Sequence, residues 1–191
     1  MLEGSLLAKD RQAILLELLV LRCKRGEKQA FDELIRQWEG RLLYYVRRLV
    51  ASDADAWDVL QQTWIKVLRG IKSLDDPQRL PTWLYQIARR TAASYWRGHY
   101  RERARLEDNA DTADLAEAEE GWHFEDAEQV HRALSRVSLA HREVLTLYFV
   151  DDLSLEQMAE ILAVPLGTVK SRLCYAKRAL RAILEREEGE P

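Results

Sequence analysis

Residues 151–180 read DDLSLEQMAEILAVPLGTVKSRLCYAKRAL, and this stretch decides the fold. Ser154 followed three positions on by Gln157 is a capping box, in which hydroxyl and amide side chains satisfy each other's unpaired backbone N–H groups. The helix it opens is short, with Leu155, Met158, Ala159 and Leu162 at helical spacing. Ala163, Val164 and Pro165 form a tight turn, after which Leu166, Val169, Leu173, Ala176, Leu180 and Ile183 alternate steps of three and four. Two helices on one tight turn with a shared apolar side make a helix-turn-helix. With that side inward, the second helix presents Thr168, Lys170, Ser171, Cys174, Tyr175, Lys177 and Arg178 outward, and no acid interrupts Thr168 to Arg181. Such a face suits the major groove: Lys170 donates to guanine, Ser171 serves either base of a pair, and Lys177, Arg178 and Arg181 meet phosphates. The alternative is a plain helical hairpin with a solvated face, which would not require cap, turn, stripe and acid-free surface to coincide.

The rest of the chain is consistent with an all-α protein. Among 191 residues there are only 8 glycines and 4 prolines, and alternating strands between glycine-rich turns are absent. An apolar content of 47% is ample for a core, while 32% charged residues leave no uninterrupted run long enough for a membrane span and no secretory signal. A cytoplasmic protein is therefore expected. The 2 cysteines, Cys23 and Cys174, are far apart and suggest neither a disulfide framework nor a zinc site. G-x-G-x-x-G, G-x-x-x-x-G-K-[ST] and G-x-S-x-G are missing, and His99, His123, His131 and His141 form no ligand pair, so no cofactor, metal or small-molecule substrate is expected.

A net charge of −3 conceals strong segregation. Residues 1–25 carry +2, 26–105 carry +5, 106–131 carry −10, 132–186 carry +3 and 187–191 carry −3. Two basic modules are joined by an acidic connector, LEDNADTADLAEAEEGWHFEDAEQVH, which lacks Lys and Arg and buries too little apolar surface to order itself. It reads as a flexible linker, with a short solvated helix around Ala113 to Glu120 left open. In the first module Arg89, Arg90, Arg97, Arg101, Arg103 and Arg105 are interleaved with Tyr95, Trp96 and Tyr100, the composition of a nucleic-acid surface.

Helical periodicity predicts six further elements. Residues 11–24 carry Ile14, Leu15, Leu18, Leu19 and Leu21 and end near Gly26; residues 28–50 carry Phe31, Leu34, Ile35, Trp38, Leu42, Tyr45, Val46 and Leu49. These two helices are expected to pack together. Ser52 or Asp53 caps a third, whose inner side is Ala56, Leu60, Thr63, Val67 and Ile71 and whose outer side is Asp58, Gln61, Gln62, Ile65 and Arg69. Asp53, Asp55 and Asp58 resemble a carboxylate cage, but two of them sit where anions compensate a helix N-terminus, and capping is the preferred reading. A long helix from Thr82 to about Arg103 follows Pro81, with Trp83, Leu84, Ile87, Ala88 and Tyr95 on its buried side. Val130 to Val137 and Leu139 to Phe149 form two more helices, the second with Val144, Leu145, Tyr148 and Phe149 inward.

In this order the segments RCKRGEKQAFDEL, DADAWDVLQQTW, LPTWLYQIARRTAASYWR and LSLEQMAEILAVPLGTVKSRL resemble the extracytoplasmic-function (ECF) sigma factors of bacterial RNA polymerase. GTVKSRL alone is shared with response-regulator helix-turn-helix proteins; the preceding segments discriminate. The resemblance implies an N-terminal helical extension at 1–16, a sigma-two domain at 17–105, an acidic linker at 106–129, a sigma-four domain at 130–186 and a tail at 187–191. It implies that Asp58, Gln61, Gln62 and Ile65 dock on the clamp helices of core polymerase. It further implies that Asp76, Gln86, Arg89, Arg90, Arg97 and Arg101 meet the minus-ten element, where extruding a base costs a few kcal/mol offset by stacking and phosphate contacts. Thr168, Lys170, Ser171, Arg172, Cys174, Tyr175, Lys177 and Arg178 match the minus-thirty-five surface. Trp83 matches as packing rather than a stacking platform, and the connector would thread the RNA channel. Departures from the family pattern are Trp57, Arg90, Ser94 and Tyr175, where Glu, Asn, Asp or Asn, and Arg are common. They imply an altered polymerase contact and promoter preference.

The expected function is a non-enzymatic initiation subunit whose partners are core polymerase, promoter DNA and an anti-sigma factor. Two rivals are weighed against it: a stand-alone helix-turn-helix regulator, for which no dimer helix is evident, and a metal-dependent nuclease built on Asp53, Asp55, Asp58 and Asp75.

Overall fold

The computed structural model describes residues 2–106, 132–150 and 153–187, and every regular element among them is helical. Most of the expected connector, with its alternative helix at Ala113 to Glu120, lies outside the described residues, as do His123 and His131. The elements are α1 (Leu2–Lys24), α2 (Lys28–Arg47), α3 (Asp53–Gly70), short 3-10 turns at Ile71–Ser73 and Pro77–Arg79, and α4 (Leu80–Leu106). Then come a helical stretch at 132–136 (α5), α6 (Leu139–Val150), α7 (Leu155–Leu162) and α8 (Leu166–Glu187).

Local chemistry sets the boundaries. Gly26, at φ +82°, ends α1: its N–H donates to Cys23 O at 2.9 Å and the Glu27 N–H to Arg22 O at 3.2 Å, the paired bonds of a Schellman motif. Ser52 caps α3, its hydroxyl accepting from the Asp55 N–H at 3.1 Å. Both halves of the capping box on α7 are made: the Gln157 N–H donates to Ser154 Oγ at 3.2 Å and the Ser154 N–H to Gln157 Oε1 at 2.8 Å. The turn after α7 is held by Ala163 at φ 52°, ψ 47°, a left-handed conformation that ordinarily favours glycine.

In the first module α2, α3 and α4 pack around Leu34, Leu42, Tyr45, Val59, Leu60, Val67, Leu84 and Ala88. In the second, α6 and α8 clamp α7 through Val144, Leu145, Met158, Ile161, Val169 and Ala176. Several expectations of burial need correction. On α1, Ile14, Leu15, Leu18 and Leu21 are exposed, and the buried line is Leu19, Val20 and Cys23. The helix is apolar over most of its circumference, so periodicity alone could not select the inward side. On α6, Phe149 is 64% exposed, while Glu143, Thr146 and Leu147 are buried. On α4, Leu80, Tyr85 and Ala92 are buried along with Leu84 and Ala88, whereas Trp83, Ile87 and Tyr95 pack at the margin. There Trp83 packs, partly buried, against the core, its ring 3.2 Å from where a Cβ on Gly70 would stand.

The two modules also touch each other. α4 lies against α7 and α2 against α6, and one continuous apolar cluster extends from Leu19 to Ala176.

Candidate docking face and nucleic-acid surfaces

Three surfaces hold the predicted site residues. The first is the outer side of α3, where Asp58, Gln61 and Gln62 are exposed and Ile65 is half-buried beside them. Two large apolar side chains share this side, Trp57 at 48% and Leu68 at 47% exposure. Leu68 was missed by periodicity because its neighbours Val67 and Ile71 supply the inward row; three- and seven-residue steps from Ile65 and Gln61 place it on the outer one. Polar groups flanked by exposed Trp and Leu fit a protein partner better than plain solvation does. The acidic cluster at the start of α3 is spoken for: Asp53 accepts from Arg47 Nη2 at 3.0 Å, Asp55 accepts from the Tyr95 hydroxyl, and the two groups serve the cap and the α3–α4 join. Burial, Asp55 and Asp58 together push the Tyr95 phenol up to about 12.

The second surface is α4. Arg90 and Arg97 are exposed, Arg97 Nη2 donating to Ser94 Oγ at 2.9 Å. Trp96 is 44% exposed with its indole N–H anchored on Leu49 O at 2.6 Å, which fixes the ring while leaving part of it open. Asp76 is committed to its own turn, accepting from the Gln78 N–H at 2.9 Å. The Arg101 side chain lies outside the described residues. Gln86 and Arg89 were expected on an exposed side and are instead half-buried under the second module. Gln86 Nε2 donates to Glu160 O at 3.2 Å. Arg89 Nε donates to Glu143 Oε1 at 2.8 Å, and the same oxygen accepts from the Tyr45 hydroxyl at 2.8 Å. Burial pushes the Tyr45 phenol well above its usual range, and the neighbouring Glu143 carboxylate pushes it further. Burial opposes the Arg89 charge, but the hydrogen bond and charge of Glu143 outweigh it and raise its basicity.

The third surface is the outer side of α8. Lys170, Ser171, Cys174, Tyr175, Lys177 and Arg178 are exposed, and Thr168 and Arg172 are partly so. Tyr175 stands 60% exposed, a large ring with a hydroxyl on the outward face. Ser171 Oγ donates to Thr168 O at 3.1 Å, and Lys177 Nζ lies 3.8 Å from the Tyr148 ring on α6. That ring pre-positions the ammonium near the edge of the helix. Among the described residues no group of acids, histidines and cysteines is arranged to hold a metal ion, and no helix is long and apolar enough to cross a membrane.

A helical bundle with one helix polar on its exposed side and another basic, followed by a helix-turn-helix with a basic outward face, defines a two-module DNA-binding protein. Residues 34–102 match Sigma-70 region 2 and residues 127–180 match Sigma-70, region 4. The chain is 34% identical over 182 residues to the RNA polymerase sigma-H factor of Pseudomonas aeruginosa, covering 87% of this chain and 92% of that one. It is 30% identical over 175 residues to the ECF RNA polymerase sigma-E factor of Escherichia coli K12, covering 86% and 91%. Among solved structures, RpoE of Bartonella quintana in complex with the anti-sigma factor NepR superposes with a TM-score of 0.69 at 25% identity, covering 81% of this chain and 96% of that one. CnrH in complex with the cytosolic domain of CnrY gives 0.64 at 23% identity, covering 88% and 96%, and shares the fold. The chain belongs to the ECF sigma factors of the sigma-70 family, not to the stand-alone helix-turn-helix regulators.

Proposed function

We propose that this chain is a non-catalytic, cytoplasmic subunit that binds core RNA polymerase through the outer side of α3, opens the minus-ten element on α4 and reads the minus-thirty-five element with α8. The observation that carries it is the pairing, on one chain, of the Asp58, Gln61 and Gln62 face with the acid-free outward face of α8. In this reading Lys170, Ser171, Cys174 and Tyr175 face base edges, and Arg172, Lys177 and Arg178 hold the phosphates on either side. Arg90 and Arg97 do the same for the opened strand, with Trp96 offering a partly exposed ring for stacking. Chemistry on the nucleotide belongs to the polymerase, since the residues assigned here bind and orient. An anti-sigma factor is the expected regulator, by analogy with the complexes of its structural relative RpoE.

The test is reconstitution. Purified chain and bacterial core polymerase, given DNA from upstream of the chain's own gene, should yield a discrete run-off transcript that neither component makes alone. Absence of a transcript, with the chain failing to co-elute with core at low salt, would overturn the proposal.

A further inference from the structure

Tyr95 and Trp96 are consecutive on α4, and both are tied to the corner where α2 gives way to α3. The Trp96 indole N–H donates to Leu49 O at 2.6 Å, and the Tyr95 hydroxyl donates to Asp55 Oδ1 in the first turn of α3. The corner is itself braced: Ser52 caps α3, and Arg47 Nη2 donates to Asp53 Oδ2 at 3.0 Å across it. Successive side chains on a helix point about 100° apart, so bonds from adjacent positions to two separate acceptors hold both the rotation of α4 and its distance from the corner. These bonds lie where packing gives out. Among the described residues Ala92 is the last buried one on α4, Tyr95 is half-buried and residues 96–98 are exposed.

We infer that Asp55 and Tyr95 are positioning residues for Trp96: their hydrogen bond fixes this part of α4 so that the indole stays on Leu49 O with its open side ready to receive an unpaired base. The inference rests on the proposed role of α4 at the minus-ten element. A ring already held by its N–H loses little further freedom when a base stacks on it, which is the advantage of preorganisation. Arg97, the next residue along, is set by the same rotation. Asp55 thus has a use beyond the start of its own helix. Its backbone N–H is satisfied by Ser52 Oγ at 3.1 Å, whereas its carboxylate takes a donor from α4, and an acid that served only the α3 dipole would need no such partner.

The test reads the ring first in the free chain and then in the holoenzyme. With nitrogen-15 tryptophan, the Trp96 indole N–H is assigned by its loss in Trp96→Ala, and its bond to Leu49 O should slow its exchange with solvent. Tyr95→Phe and Asp55→Ala should each speed that exchange about tenfold or more, and Asp55→Asn, whose amide oxygen still accepts from Tyr95, should recover most of the protection. Unchanged exchange in Tyr95→Phe and Asp55→Ala would overturn the inference. With bacterial core polymerase and DNA from upstream of the chain's own gene, the readout is the rate at which minus-ten thymines become reactive to permanganate. There Tyr95→Phe should slow opening about 5- to 10-fold, a part of what a stacked base contributes, yet cost nothing further in a Trp96→Ala background, because it acts through the ring. Opening at the wild-type rate, or a loss that adds to that of Trp96→Ala, counts against the inference and leaves Tyr95 a general brace between α3 and α4. Should Asp55→Ala fold poorly, Tyr95→Phe, which removes a single oxygen, carries both measurements. A wild-type holoenzyme that opens no DNA overturns the proposed function instead, and indole exchange in the free chain still decides whether Asp55 and Tyr95 position the ring.

Discussion

Ala163 turns the chain between the two helices of the DNA-reading motif in a conformation that its Cβ disfavours. At φ 52° and ψ 47° an L-residue other than glycine carries a penalty on the order of 1 kcal/mol, while glycine there would lose about 0.5–1 kcal/mol through a freer unfolded chain. The balance favours glycine slightly. Ala163→Gly is expected to leave the protein equally stable or more stable by about 0.5 kcal/mol, raising Tm by about 1–2 °C in a chain of this size. A clear drop in Tm would mean that the Ala163 methyl contributes packing that outweighs its strain. The two thiols make a second contrast. Burial pushes Cys23 up to about 11, so at neutral pH it is a protonated, inaccessible thiol, whereas Cys174 is exposed on the outer side of α8. A maleimide should label one thiol in the native chain and two after denaturation, with Cys174 identified by mass spectrometry as the native site. Promoter duplex in the holoenzyme should protect it; labelling that proceeds equally fast with DNA bound would remove α8 from the groove.

At the scale of elements, α3 carries the clearest separation of duties. Its inner side, Ala56, Val59, Leu60, Thr63, Trp64 and Val67, is buried, and its outer side keeps Asp58, Gln61 and Gln62 in water beside Trp57 and Leu68. Substitutions outside the core usually alter stability by less than about 0.5 kcal/mol, so binding and folding can be separated here. The double variant Asp58→Ala, Gln61→Ala is expected to weaken core-polymerase binding by at least about tenfold, or roughly 1.4 kcal/mol, with an unchanged melting curve. Leu68→Asp should do the same if the apolar flank is part of the interface. Normal co-elution with core by all of these variants would move the docking face elsewhere. α3, α7 and α8 were legible in the sequence because their signals are local: a cap residue, a tight turn and one stripe per helix. α1 was not. Leucines and isoleucines at 14, 15, 16, 18, 19 and 21 leave no polar side to oppose them, and the choice of Leu19, Val20 and Cys23 as the buried row depends on where α2 lies. The covering of Arg89 was also beyond local reading, because Glu143 is 54 residues away and nothing in its own helix announces a partner. Phe149 shows the same limit in reverse: an aromatic at the end of α6 is apolar enough for a core, yet the second module offers no hole at that position.

The whole molecule has a join whose chemistry differs from the interiors on either side. Each module is held by aliphatic and aromatic packing, whereas the seam adds a carboxylate shared between Arg89 and Tyr45 to a narrower strip of apolar contact. Because the apolar cluster runs unbroken from Leu19 to Ala176, the two modules should unfold together, in one calorimetric transition at neutral pH and low salt. Removing one partner of a buried ion pair costs about 3–5 kcal/mol when the other is left stranded; here the figure belongs at the lower end, since the Arg89 side chain keeps 34% of its surface in water and can be rehydrated. That loss falls on the seam and on the buried Tyr45 hydroxyl, which loses its acceptor there. Glu143→Ala is therefore expected to divide the single transition into two, each module melting on its own, rather than to lower one common Tm. The alternative outcome is diagnostic as well: a single transition shifted downward would place Glu143 in the cooperative core of the second module, with its reach to Arg89 contributing little to holding the modules together. The exposed Arg79 and Glu160 pair gives the matching control, because an ion pair in water is worth about 0–1 kcal/mol and is screened by salt. Raising the ionic strength should consequently begin to separate the transitions of wild type only slightly, while the Glu143→Ala protein, already uncoupled, should show no further separation.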